Sequence, residues 1–180
     1  TEFQFNIDTE GTEPTKLKGW PTSYKEEQII NEKIDTLLKK DIIQPSDSLY
    51  DTNCFIVRQL DHEGKVKHRM VIDYTSLNLR TRKICFPIPR IETLLDNLRD
   101  ANFVSNLDLQ SAYHLIPLDK QSREKTAFST RTNHYEFKYV SFGLANAPAF
   151  FVQVMTRILA GIPPTQVGAY LDDILCCTKT

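Results

Sequence analysis

Near its end the chain carries two short apolar runs, residues 167–171 and 174–177, joined only through Asp172-Asp173. A connection that tight forces the two strands to pair antiparallel, because a parallel pair needs a crossover of a dozen or more residues. It also sets two carboxylates side by side at the hairpin tip, where they repel unless a cation lies near. Asp is an ordinary turn residue as well, so the dipeptide by itself reads as a plain hairpin tip.

A third acid changes that reading. Val104-Ser105-Asn106-Leu107-Asp108-Leu109 has the apolar character of a core strand, expected over residues 103–109, yet Asp108 interrupts it. A carboxylate buried in such a strand needs a partner or a metal. If this strand lies beside the hairpin, Asp108 and Asp172 can share two divalent cations about 3.5–4 Å apart. Hard oxygen ligands and retained waters suit magnesium.

The remaining elements are a mixture of helices and strands. Ser23-Tyr24-Lys25-Glu26 has the spacing of a capping box, and Ile30, Ile34, Leu37 and Leu38 follow at helical spacing, which predicts a helix over 23–40. Pro45 forbids its continuation, and Ser46-Asp47-Ser48 reads as loop. Cys54-Phe55-Ile56-Val57 and Met70-Val71-Ile72 read as strands joined through Asp61-His62-Glu63-Gly64. Ile91, Leu94, Leu95 and Leu98 form a second helical stripe. Thr126-Ala127-Phe128-Ser129 and Tyr135-Glu136-Phe137-Lys138-Tyr139 read as a hairpin. Asn146-Ala147-Pro148 opens a helix that Gly161 closes, over about 147–160. No βαβ repeat is present, which points to an α+β fold.

No apolar run approaches the roughly 18 residues of a membrane span. The four cysteines lack zinc spacing and read as small, buried or half-buried residues of a reducing compartment. The net charge of −1 conceals a basic block: residues 58–90 hold eight Lys and Arg against three Asp and Glu. Such a block can track a phosphate backbone, although a solvated basic face has the same composition. The chain opens on Thr1 and reads as a piece of a longer polypeptide.

Several motifs occur together and in order: Leu107-Asp108-Leu109-Gln110-Ser111-Ala112-Tyr113-His114, Lys125-Thr126-Ala127-Phe128, Phe142-Gly143-Leu144-Ala145-Asn146-Ala147-Pro148 and Tyr170-Leu171-Asp172-Asp173-Ile174. Ile42-Ile43-Gln44-Pro45-Ser46, Val71-Ile72-Asp73-Tyr74 with Leu77-Asn78, and Phe86-Pro87-Ile88-Pro89 extend the match. From about residue 20 onward the chain resembles the reverse transcriptases of gypsy-type long-terminal-repeat retrotransposons, relatives of retroviral pol.

The resemblance implies a right-hand polymerase fold: an N-terminal arm over 1–21, mainly fingers over 22–90, and mainly palm over 91–180, with fingers segments recurring within 115–145. The palm would be an antiparallel sheet backed by helices, and the thumb and RNase H would lie outside this chain. It further implies RNA- and DNA-directed DNA synthesis from a primer 3′ end, with two magnesium ions (or manganese) as cofactors. Partners would be template with primer, deoxynucleoside triphosphates and the missing polyprotein segments, in the cytoplasm within virus-like particles and away from membranes. A decayed or domesticated nucleic-acid-binding module of the same fold is the alternative.

By resemblance, Asp108, Asp172 and Asp173 are the catalytic, metal-binding aspartates, with the Leu109 backbone beside them. Arg69 would grip the incoming triphosphate, since a guanidinium binds phosphate in bidentate fashion. Leu109, Gln110, Ser111, Ala112 and Tyr113 would line the nucleotide site, Tyr113 as the gate against a ribose 2′-hydroxyl, with Phe142 packed near. Gly143, Pro148 and Asn78 would touch the template. Two departures stand out. Gln59 occupies the place of a triphosphate-binding lysine, so that Arg58 or Lys65 substitutes or binding weakens. Ser141 replaces a proline before Phe142, which would loosen that turn.

Overall fold

A computed structural model describes residues 3–14, 21–61, 63–87, 89–97, 99 and 101–178. The expected roles of His62, Ile88 and Leu98, and of residues 15–20 in the arm, lie outside these. The chain forms two compact units, Thr1–Arg82 with His114–Ala145 and Lys83–Tyr113 with Asn146–Thr180.

The first unit begins with an extended segment whose Phe5 and Ile7 are core residues, 1% and 2% exposed. Phe5 bridges Leu118 in parallel fashion, its N–H donating to the Pro117 carbonyl at 2.9 Å. Helix α1 (Tyr24–Lys39) starts at the capping box: the Glu26 N–H donates to Ser23 Oγ at 3.3 Å, and the Ser23 N–H donates to Glu26 Oε2 at 3.0 Å. Its inner face buries Ile30 and Ile34. Strand β1 (Ile43–Pro45) follows where the sequence suggested only a helix stop. It pairs antiparallel with β6 (His134–Phe137), which also pairs with β5 (Phe128–Ser129). Pro45 is tolerated because β1 is an edge strand and the ladder bond beside it is made by the Ser46 N–H, which donates to the His134 carbonyl at 3.1 Å.

Strands β2 (Cys54–Leu60) and β3 (Val66–Ile72) form a two-stranded antiparallel ribbon. It is buried at Cys54 and Ile72 and increasingly exposed toward its tip. Helix α2 (Thr75–Arg80), unforeseen because it is one short turn of mostly polar residues, follows directly. Helix α4 (Lys120–Lys125) is capped by Asp119, whose carboxylate accepts from the Ser122 N–H at 2.8 Å. Buried Glu136 is satisfied by donors from Gln44 (2.7 Å) and Ser46 (2.6 Å), as a buried carboxylate requires.

The second unit holds α3 (Ile91–Asn97), β4 (Phe103–Asp108), α5 (Ala147–Ile158), β7 (Val167–Tyr170) and β8 (Asp173–Thr178). Its antiparallel sheet has the order β4-β8-β7, and α3 and α5 pack against β7. Pro148 stands in the first turn of α5, and Gly161 takes φ +95° just past its end, a conformation that favours glycine. Among the described residues no helix is long and apolar enough to cross a membrane.

Two expectations are corrected here. Strand β4 is not a core strand: it is an edge strand exposed along its whole length, with Phe103 65%, Val104 61% and Leu107 53% exposed. Asp108 therefore meets solvent, and the desolvation argument for a metal at that position does not hold. The hairpin turn also sits one residue earlier than expected. Tyr170 pairs with Asp173, so Leu171-Asp172 form the turn and Asp173 opens β8.

Candidate active site

The acidic end of the second unit follows from strand pairing. Asp108, the last residue of β4, lies directly opposite Asp173, the first of β8. Opposed residues in an antiparallel pair project from the same face, so two like charges share one sheet corner. Asp172 is held close by, because the Leu109 N–H donates to its carbonyl at 3.0 Å. One oxygen of Asp173 accepts from the Asn106 side-chain amide at 3.2 Å. Leu171 carries φ +53°, a left-handed conformation that a two-residue turn needs and a branched side chain resists. Backbone held in that region stores strain of about 1–3 kcal/mol.

This donor set suits a hard divalent cation: the carboxylates of Asp108 and Asp172 are exposed, that of Asp173 is half-buried, and the Asp172 carbonyl lies beside them. Among the described residues no three His, Cys, Asp or Glu side chains form a cage that could hold a metal ion, so Asp108, Asp172 and Asp173 do not converge into one. Magnesium rarely uses such a cage, binding through one or two carboxylates with water and substrate phosphates as the other ligands. The carboxylates at this corner fit that open kind of binding and do not fit a purely structural metal.

Beyond Asp108 the chain turns through Gln110 and Ser111, the latter at φ +55°. Ala112 is buried, whereas Gln110 and Ser111 are exposed. Tyr113 stands edge-on to Phe151, ring centroids 5.6 Å apart at 64°. Partial burial, and then the negative charge of Asp172, raise the Tyr113 pKa, which keeps its phenol neutral. The charge of Asp172 therefore reaches the Tyr113 phenol within this unit. Pro148 is placed by the start of α5, where Asn146 spends its side chain on the Ile84 N–H at 3.2 Å rather than on a cap.

The other expected residues gather in the first unit. Arg69 lies on β3 with its guanidinium 6.0 Å from the centre of the Phe142 ring, at the outer limit of a cation–π contact, and donates to Gln59 Oε1 at 3.5 Å. Phe142 is 47% exposed and meets the His114 ring edge-on at 6.0 Å. Burial, then the charge of Lys40, hold His114 below its ordinary pKa. Gly143 has φ +91°, so glycine is required there by backbone conformation, not by crowding. Asn78 braces this loop: its amide donates to the Gly143 carbonyl at 2.7 Å and accepts from the Ala145 N–H at 2.8 Å. Ser141 is buried, and its hydroxyl donates to the Phe142 carbonyl at 3.3 Å, which braces the turn at the position where proline was missing.

Sequence reading missed one residue of interest. Lys67 pairs directly with Gln59. Strand parity counted from Arg69 would have found it.

Residues 59–180 match the family described as "Reverse transcriptase (RNA-dependent DNA polymerase)". The chain is 37% identical over 165 residues to the retrovirus-related Pol polyprotein from transposon 412 of Drosophila melanogaster, covering 91% of this chain and 13% of that one. It is 36% identical over 181 residues to the corresponding polyprotein from transposon gypsy of the same organism, covering 97% and 17%. Its fold is similar to that of the foamy viral protease-reverse transcriptase in complex with RNA/DNA hybrid, with 26% identity and a TM-score of 0.85 over 98% of this chain and 23% of that one. The chain thus spans less than a fifth of the length of these Drosophila relatives.

Proposed function

The chain belongs to the reverse transcriptase family, and on that premise we propose that it carries the nucleotidyl-transfer centre of an RNA- and DNA-directed DNA polymerase. The observation that carries this reading is the pairing of Asp108 with Asp173 beside the Leu109–Asp172 hydrogen bond. That arrangement concentrates carboxylates at one exposed sheet corner, a costly placement that a cation relieves.

Asp108 and Asp172, with Asp173 and the Leu109 carbonyl beside them, would hold two magnesium ions, manganese serving in their place. When bound, the ions make the primer 3′-hydroxyl more acidic and neutralise charge on the triphosphate and the departing pyrophosphate. The chain's own residues bind and orient. Arg69 engages triphosphate oxygens through its forked donors. Backbone groups from Leu109 to Tyr113 line the nucleotide, and the neutral Tyr113 ring excludes a 2′-hydroxyl by bulk. Phe142 packs near the nucleotide, while Gly143, Asn78 and Pro148 belong to the template side, Asn78 by fixing the Gly143 loop. Most of the rate enhancement then comes from positioning and charge neutralisation.

Template, primer and deoxynucleoside triphosphates are the partners in this reading, with thumb and RNase H segments of the same polyprotein, acting in cytoplasmic virus-like particles. Primer extension on a poly-purine RNA template with magnesium tests it, using the full polypeptide that carries this chain. Asp172→Asn is expected to lose extension; wild-type extension by that variant would refute the assignment.

A further inference from the structure

We propose that Lys67 supplies the second triphosphate-binding cation of this chain, beside Arg69; the inference rests on the reading above that the chain binds deoxynucleoside triphosphates. The β2–β3 register sets Val57 opposite Arg69, Arg58 opposite His68 and Gln59 opposite Lys67. Side chains alternate between the faces of a strand, so Arg69, Lys67, Val57 and Gln59 share one face and Arg58 projects from the other. The bond from Arg69 to Gln59 Oε1 is a contact within that face. Arg58 therefore cannot act alongside Arg69 unless the ribbon turns over. Lys65 lies beyond the end of β3, two repeats from Arg69 instead of one, and its exposed pair with Glu63 at 2.8 Å does not by itself withdraw it. Of these three cations, Lys67 alone stands within the strand on the Arg69 face, one two-residue repeat away, or about 6.5 Å along the strand. Two cations at that spacing can engage neighbouring groups of one polyphosphate.

The surroundings of Lys67 leave it available. Its side chain is 71% exposed and its ammonium lies 3.6 Å from Asp61 Oδ2. Asp61 is itself fixed, since its Oδ1 accepts from the N–H groups of Glu63 at 3.0 Å and Lys65 at 2.9 Å. The Asp61 side chain is only 13% exposed, so the carboxylate keeps the lysine near the ribbon through a long ion pair whose ammonium end alone faces solvent, open to a polyanion. The neutral residue at position 59 fits the same account. A lysine there would face Lys67 directly across the ladder, and like charges so placed are destabilising. One cross-strand pair carries one cation, and in this chain it stands on β3 instead of β2.

The test is steady-state single-nucleotide incorporation by the full polypeptide that carries this chain. Lys67→Ala is expected to raise the KM for deoxynucleoside triphosphate about tenfold, the worth of a charged hydrogen bond of about 1.4 kcal/mol, and to leave kcat within about twofold. Lys67→Arg should keep the low KM. The double variant Lys67→Ala with Gln59→Lys should restore it, because the charge returns to the same face one strand over. An unchanged KM in Lys67→Ala, no rescue by the double variant, or an equal rise in Arg58→Ala would each overturn the proposal. Failure of the underlying reading looks different: Asp172→Asn would then still extend primers, whatever Lys67 does.

Discussion

Asp108 and Asp173 face each other directly across the β4–β8 pair, two like charges on the same face of one ladder rung. Opposed like charges weaken a sheet by about 0.2–1 kcal/mol, so the acidic corner is held against its own repulsion. Asp108→Asn should therefore raise the urea midpoint of the metal-free protein slightly while removing primer extension. A midpoint that fell in chelator would show that the corner is not electrostatically strained.

Tyr113 is expected to select the sugar by bulk, its ring held edge-on by Phe151. Tyr113→Phe should keep discrimination against ribonucleotides. Tyr113→Ala should relax it roughly 10- to 100-fold, the range a shape-based pocket commands. The ratio of kcat/KM for paired deoxy- and ribonucleotides checks this, and equal ratios in Tyr113→Ala and the wild type would remove Tyr113 as the gate.

Asn78 contributes through the Gly143 loop. Its two bonds to that loop, at 2.7 and 2.8 Å, make Asn78→Ala costly by about 1–3 kcal/mol. Gly143→Ala should cost about 1–2 kcal/mol for a different reason, the left-handed backbone it must keep. Urea melts would report both losses. A neutral Asn78→Ala would mean that water replaces the amide without cost.

His114 gives the first unit a pH dependence whose sign follows from burial. Its folded pKa lies below the unfolded value, burial being the main cause and Lys40 the second. The neutral ring therefore stabilises fully above the unfolded pKa of about 6.5, and that contribution is lost as pH falls toward the folded pKa. Stability measured from pH 8 to pH 5 should decline, and His114→Gln should flatten that decline. An unaltered slope in the variant would assign the effect to other groups.

What could be read in the chain before folding was of two kinds. Local chemistry was legible because its partners lie within a few residues: the Ser23–Glu26 capping box, the Pro148 start and Gly161 end of α5, and the antiparallel hairpin around Asp172. The motifs that carry Asp108, Asp172, Arg69, Tyr113 and Phe142 were legible as a set, through their order. Strand β1 was not, because Ile43 is made a strand residue by Phe137, its partner in β6 far along the chain. The exposure of β4 was not legible either, since an apolar sequence records what a strand can bury and not what covers it.

The same division runs through the acidic hairpin and the basic ribbon. Sequence determined which side chains exist: three aspartates, Arg69, Lys67, and glutamine at position 59. Tertiary structure alone decided that Asp108 meets Asp173 and that Asp173 lies in the strand instead of the turn. It alone decided that Gln59 stands opposite Lys67 and that Arg58 lies on the face away from Arg69. The physical reason is the two-residue period of a strand. A shift of one residue in register exchanges every side chain between faces, and register is fixed by cross-strand hydrogen bonds between residues that the sequence leaves apart.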